Sequence, residues 1–287
     1  MTETMGILAY GAHVPYRRLD RAAISDVMGS GGGQGWRSVA SFDQDTTTMG
    51  VEAARQALAT TDLDPEALWF STVAPAYLDK TNATTVHAAL RLDAAASALD
   101  LGGAVRSSVG ALRSALTGPG RTLVVSSDLR VGLPTSADES LGGDAAAAVL
   151  TGSAADGPLL AEYLGGASAT AEFLDRWRTP GDVTSRTWEE RFGEEAYGPL
   201  VEQAWAAALA DIGLAADDID TAIVTGLHGR AVIVFILACS GSAGSANSSP
   251  SGRGIPWLHL SHWALVSILN SVPPLCSLFL SGVTTLI

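Results

Sequence analysis

From Met5 to about residue 227 the chain alternates short apolar runs with stretches of helical periodicity, and that alternation stops just after GLHGRAV. GILAYGAHVP reads as a strand ending at Pro15, and LDRAAISDVM as a helix with Asp20 near its start. SGGGQG is a flexible loop. In DTTTMGVEAARQALA, Thr46 to Thr48 can cap a helix carrying Met49, Ala53, Ala57 and Leu58 on one face. ALWFSTVA reads as a buried strand, NATTVHAALRL as a helix with Asn82 as cap, SALDLGGA as a strand, and VRSSVGALRSAL as the helix behind its glycines. RTLVVSSDL and GGDAAAAVLTG are two further strands, followed by a helical region from Phe173 to Leu214 and the strand TAIVTG. Strands alternating with helices predict an α/β fold with a mostly parallel sheet covered on both faces.

Composition matters at two points. A formal charge of -13 argues against nucleic acid as a partner, because phosphate binding needs a basic face. From Gly229 to Ile287 there is no Asp or Glu, although acidic residues are spread through the preceding chain. That stretch holds both cysteines, Cys239 and Cys276, and a Ser/Gly/Asn/Pro run. Two readings stay open for it. The last 25 residues are uncharged and long enough to span a bilayer, but Asn270, Pro273 and Pro274 lie in their midst and no basic cluster flanks them. Alternatively the coding frame is lost after residue 228 and the tail is unrelated to the fold before it. Two cysteines form no disulfide framework, and the start MTETMGILAYGAHVP lacks a secretory pattern, so a cytoplasmic location is expected.

Several segments, in order, resemble one family. SVASFDQDTTTMGVEAARQAL is similar to a stretch in which an acidic-Asp-Thr motif opens a helix, and AYLDKTNATTVHAALRL to the segment after the second strand. SALDLGGAVRSSVGALRSAL resembles a nucleophile strand, turn and helix, and RTLVVSSDLRVGLPTSADESLGGDAAAAVLTG the two strands beyond it. Together these resemble the thiolase superfamily, specifically hydroxymethylglutaryl-CoA synthases, with ketoacyl carrier-protein synthase III more distant. The resemblance covers residues 5 to 228. It implies a layered αβαβα architecture with the first half complete and the second truncated. The corresponding division is 1–165 for the first half, 166–228 for a helical insertion and the start of the second, and 229–287 for the tail. It also implies an acyltransferase that condenses acyl-CoA, an acyl-CoA or acylated-carrier ligand, and no cofactor. The partners implied are a second copy, an active condensing enzyme, or an OB-fold zinc-ribbon protein.

Such chemistry needs a thiolate at a helix N-terminus, where free N–H groups and the helix dipole favour the anion. The thiolate takes the acyl group as a thioester, and a base then deprotonates the second acyl group. Carried over residue by residue, the nucleophile position is Val105 and the base position is Val73, neither of which can do the work. The histidine position falls at Thr225, with His228 three residues on as its sole candidate. The resemblance therefore implies a degenerate condensing enzyme. Alternatives are a scaffold subunit of an active enzyme, or altered chemistry through His228, Ser107 or Ser108. The two serines are otherwise expected to satisfy helix-start N–H groups. Lys80 and Arg106 are the cations placed to meet CoA phosphates, with solvated surface positions as the plainer reading.

The other histidines carry no site. His13 reads as a surface residue at a strand end, and His87 as a satisfied, partly buried one. His259 and His262 are spaced as two metal ligands without an acidic third, so no metal is expected. GSGGGQG lacks a phosphate-loop ending. Trp188, Phe192, Tyr197 and Trp205 are expected to pack inward from one helix.

Overall fold

A computed structural model of the chain describes residues 3–219, 221–227, 263–269 and 284–286. Its main sheet has six strands. They are β1 (Met5–His13), β4 (Ala67–Ser71), β5 (Ser97–Leu101), β6 (Thr122–Asp128), β7 (Ala145–Ser153) and β8 (Ala161–Glu162), in the order β5-β4-β6-β7-β1-β8. A small hairpin of β2 (Arg18–Asp20) and β3 (Trp36–Ser38) stands apart. Only β5, β4 and β6 run parallel; β6–β7, β7–β1 and β1–β8 are antiparallel. The expectation of a mostly parallel sheet is thus corrected to a mixed one. The cause lies between β6 and β7, where the connection holds only the five-residue helix α5 (Ala137–Leu141). Without a crossover helix on a sheet face, β7 returns antiparallel.

Helices cover both faces. α2 (Thr46–Leu58) and α3 (Ala83–Leu90) bury Met49, Ala53, Ala57 and Val86 against Leu68, Phe70, Leu123 and Val125 on one side. On the other side α4 (Arg106–Thr117) lays Ala111 and Ala115 on Val124, and Val109, Leu112 and Leu116 on Val149. The alternating strand positions sort the two cores: Leu123 and Val125 face α2, Val124 faces α4. α2 lies very close to the sheet. A Cβ on Gly50 would stand 3.0 Å from Phe70 and 3.1 Å from Val125, so any larger residue there requires those side chains to give by a few tenths of an ångström.

The caps refine the sequence reading. Asp20 caps α1 (Arg21–Met28), accepting from the Ala22 N–H. For α2 the cap is Asp45 and not a threonine: its carboxylate accepts from the Thr48 N–H while the Thr48 hydroxyl accepts from the Asp45 N–H. That is a capping box one residue earlier than the threonine run suggests. Asn82 precedes α3 but makes no capping bond. Its amide is spent on Tyr77, and the start of α3 is held from the neighbouring strand by Asp100, whose oxygens accept from the Ala83 N–H at 2.6 Å and the Asn82 N–H at 2.7 Å. Asp100→Ala is expected to lower unfolding free energy by about 1 kcal/mol, the usual value of a helix cap, in a chemical denaturation series.

Beyond Glu162 a second sheet forms from β9 (Gly166–Ser168), β12 (Thr221–Leu227), β13 (Trp263–Leu269) and β14 (Thr284–Leu286), in the order β12-β13-β14-β9. α6 (Glu190–Ile212) packs Tyr197, Val201 and Ala204 on Ala169 and Val224. The expected helical stretch from Phe173 is corrected, since helix begins only at Glu190. Residues before it form a hairpin of β10 (Arg176–Trp177) and β11 (Arg186–Thr187). Trp188 precedes the helix and is 57 % exposed, so it does not pack inward; Tyr197 at 2 % does. α4 faces this second layer through Arg113, which donates to Ser168 Oγ and to the Gly166 carbonyl at 2.9 Å. Among the described residues no helix is long and apolar enough to cross a membrane.

Candidate functional site

The end of β4 and the start of α4 come together at the C-terminal edge of the parallel strands. β4 runs out at Ser71, and the chain turns through Thr72 and Val73. β5 runs out at Leu101, and Gly102 to Ala104 lead into α4. Three contacts join these turns. The Thr72 N–H donates to the Leu101 carbonyl at 3.4 Å, and a Cβ on Gly102 would stand 3.8 Å from the Thr72 carbonyl oxygen. Ser71 and Ser108 hydroxyls pair at 3.0 Å in a buried position. The sequence-predicted nucleophile and base positions, Val105 and Val73, thus flank one small region.

Val105 is the residue immediately before α4, with helical backbone angles, φ −57° and ψ −32°, and a half-buried side chain. No side chain caps this helix start. Ser107 and Ser108 were expected to do so and do not. Both lie within the first turn, where a side chain points back along the helix, so Ser107 donates to the Gly102 carbonyl at 2.8 Å and Ser108 reaches across to Ser71. Neither hydroxyl faces a base among the described residues.

Val73 is bracketed by charge that its own side chain does not carry. Its N–H donates to Asp128 Oδ1 at 2.8 Å, and the same oxygen accepts from the Thr72 hydroxyl at 3.1 Å. Its carbonyl accepts from the Arg178 guanidinium, reaching in from the β10–β11 hairpin. Asp128 Oδ2 lies 3.9 Å from Arg130 Nη2. Burial pushes the Asp128 carboxyl above its usual range, and Arg130, the Val73 N–H, Thr72 and Arg178 oppose that rise. Burial likewise lowers Arg130, helped by the nearby Arg176 and opposed by Asp128. Arg176 is itself paired with Asp138, so the hairpin is fastened to the main-sheet body at two points.

The two candidate cations lie differently. Arg106 turns toward the second layer, donating to the Thr170 hydroxyl at 2.7 Å. Lys80 is exposed before α3; its ammonium donates to Thr85 Oγ1 at 2.8 Å and stands 5.7 Å from the centre of the Tyr77 ring. His228 lies outside the described residues, as do His259 and His262. His13 ends β1 with its Nε2 2.9 Å from Gln44 Nε2, and His87 bonds the Asp93 carbonyl at 3.0 Å. Among the described residues no three His, Cys, Asp or Glu side chains gather as metal ligands.

Sequence reasoning missed Asp128, Arg178 and Asp100. Asp128 carried a signal, as a carboxylate closing the strand run TLVVSS. Arg178 carried none, because its hairpin was read as helix. Chemically, this region offers helix-start N–H groups, buried hydroxyls and two guanidiniums around one carboxylate. Among the described residues it holds neither a thiol nor a carboxylate free of donors.

No family model matches the chain. The hydroxymethylglutaryl-CoA synthase of Pyrococcus furiosus is 29% identical over 228 residues, covering 76% of this chain and 65% of that protein. The chain therefore spans just under two thirds of that relative's length. A solved HMG-CoA synthase complexed with CoA superposes with a TM-score of 0.69 at 19% identity, covering 82% of this chain and 63% of that one. The 3-oxoacyl-(acyl carrier protein) synthase III of Pseudomonas aeruginosa superposes with a TM-score of 0.73 at 16% identity, over 99% of this chain and 96% of that one. The chain has the thiolase fold and is similar to the hydroxymethylglutaryl-CoA synthases, as its sequence segments imply.

Proposed function

We propose that this thiolase-fold relative of the hydroxymethylglutaryl-CoA synthases binds acyl-CoA without forming the acyl-enzyme on which condensation depends. One observation carries the reading. Val105 stands at the mouth of α4, where the resemblance puts the family's thiolate, and Val73 stands where it puts the base. A thioester intermediate needs a nucleophile with a lone pair to attack the acyl carbon, and a branched hydrocarbon has none. Asp128 is no replacement base for Val73, since one oxygen already accepts from two donors and the other faces Arg130. What remains is a binding surface: helix-start N–H groups suited to a thioester oxygen, beside arginines able to hold an anionic group. The solved HMG-CoA synthase with CoA supports CoA as the ligand class.

The test is incubation of the full chain with acetyl-CoA, followed by intact-mass measurement and calorimetry. Reversible binding with an unchanged protein mass is the expected result. An acetyl adduct on any residue before 229 would overturn the loss of acyl transfer. Absence of any CoA binding would overturn the acyl-CoA assignment itself.

A further inference from the structure

The β10–β11 hairpin is built as a unit of its own. Arg176 pairs with Thr187 and Trp177 with Arg186 across the two strands, and at the base the Trp188 N–H donates to the Asp175 carbonyl at 2.6 Å. At the tip the Asp182 N–H donates to the Thr179 carbonyl at 3.0 Å, with Pro180 and Gly181 between them and Gly181 at φ +93°, as a type II turn requires. The Thr179 hydroxyl also donates to Asp182, and Arg178 Nη1 donates to the Val183 carbonyl at 3.4 Å. The tip is thus braced from within.

Its attachments differ on the two sides. The base is rooted on α6. Phe173 packs edge-on to Tyr197 with ring centres 5.0 Å apart, and the buried Tyr197 hydroxyl donates to Asp175 Oδ2 at 2.6 Å. Trp188 packs on Phe192 in the first turn of α6, ring centres 6.4 Å apart. Toward the main-sheet body the ties are polar. Arg176 holds both carboxylate oxygens of Asp138 on α5, and Arg178 donates to the Val73 carbonyl. Among the described residues, none from 176 to 187 joins a hydrophobic core. The hairpin also crosses a place of consequence. Arg106, the first residue of α4, reaches Thr170 on the hairpin's near side, and Val73 lies under its far side. A piece that is braced internally, rooted on one layer and tied to the other by guanidiniums can swing as a body without exposing a core.

We propose that the β10–β11 hairpin is a flap, rooted on α6 and latched by Arg176 and Arg178, that opens and closes the approach to the mouth of α4. Its purpose rests on the reading that acyl-CoA enters at that mouth. Its root and its latches do not.

A thiol placed at the mouth by Val105→Cys reports access, and two reagents of different size read it in the full chain. Iodoacetamide is small enough to reach half-buried residue 105 beside a closed flap, whereas fluorescein maleimide needs the flap open. Arg176→Gln with Arg178→Gln removes both charged latches. The ratio of the fluorescein maleimide rate to the iodoacetamide rate at position 105, read by peptide mapping, should then rise at least tenfold. Both reagents take the thiolate, so the ratio cancels any change in thiolate fraction that the lost charges cause. Arg186→Gln, at an exposed position of the same hairpin, should leave the ratio unchanged. Should the double variant fail to fold, Arg178→Gln alone should raise the ratio about threefold. An unchanged ratio, or equal acceleration of both reagents as general loosening would give, overturns the flap. So does a latch-free variant in which position 105 takes up no fluorescein maleimide. Labelling is done without CoA, so a chain that binds no CoA loses the proposed function and keeps the flap.

Discussion

Val105→Cys should turn an inert helix start into a reactive one. The new thiol would stand directly before α4, a twelve-residue helix whose start no side chain caps. Backbone N–H groups and the helix dipole there favour the thiolate, which lowers a cysteine from its ordinary pKa of about 8.5 toward or below neutrality. Cysteine is close to valine in volume and the site is half-buried, so the exchange should leave the packing of Val109 and Leu112 undisturbed. The variant should therefore take up an acetyl group from acetyl-CoA and should react with iodoacetamide at least tenfold faster than an ordinary exposed thiol. Peptide mapping separates residue 105 from the native Cys239 and Cys276.

Turnover should not follow. The proposed base position remains Val73, and the nearby Asp128 carboxylate is engaged by Thr72, Val73 and Arg130. An acyl-enzyme that accumulates without condensation is the specific outcome. If the new thiol alkylates no faster than the native pair and takes no acyl group, the α4 start is not a nucleophile site in this chain. Loss of acyl transfer could then not be traced to Val105.

How much of this could be read from sequence differs by element. Strands and helices of the main sheet were legible, because α2 and α4 carry apolar faces at helical spacing while β4 and β6 are short buried runs. Strand direction was not. It depends on what lies between β6 and β7, and GLPTSADESLGG reads as a loop whichever way the next strand runs. The β10–β11 hairpin was missed for a related reason. Its strands are two residues each, too short to show alternation, and they owe their place to Arg176 and Arg178 reaching the main-sheet body. Caps were legible where they are local, as with Asp20. They were hidden where the capping group comes from another strand, as with Asp100 at α3. The site divides the same way. Val105 and Val73 follow from the order of segments, whereas the charges around Val73 come from residues 128 and 178, whose proximity only folding creates.

Arg37 should prove the most costly single residue to remove for stability. It is buried at 8 % exposure in β3, and its guanidinium holds the carbonyls of Asp138 at 3.1 Å, Glu139 at 2.7 Å and Arg130 at 3.1 Å. It also lies 3.6 Å from Asp144, a carboxylate just as buried. Through these contacts one side chain fastens the β2–β3 hairpin to the chain on both sides of α5. Arg37→Met keeps much of the volume and removes every donor. Three carbonyls and a carboxylate lose a buried partner, and breaking such a pair from one side costs about 3–5 kcal/mol. The pH dependence gives a second signature. Burial already holds the Asp144 carboxyl above its usual range, against the Arg130 and Ala40 N–H groups and Arg37. A carboxyl raised in the folded state disfavours folding while it is ionised, and that penalty is relieved as pH falls through its folded value. Removing Arg37 raises Asp144 further, so the variant's deficit against the parent should be greatest at neutral pH and narrow on acidification. Denaturant unfolding at neutral pH and about two units lower measures both effects. A loss below about 1 kcal/mol, or a deficit that widens in acid, would show that Arg37 is solvated and does not join the two segments.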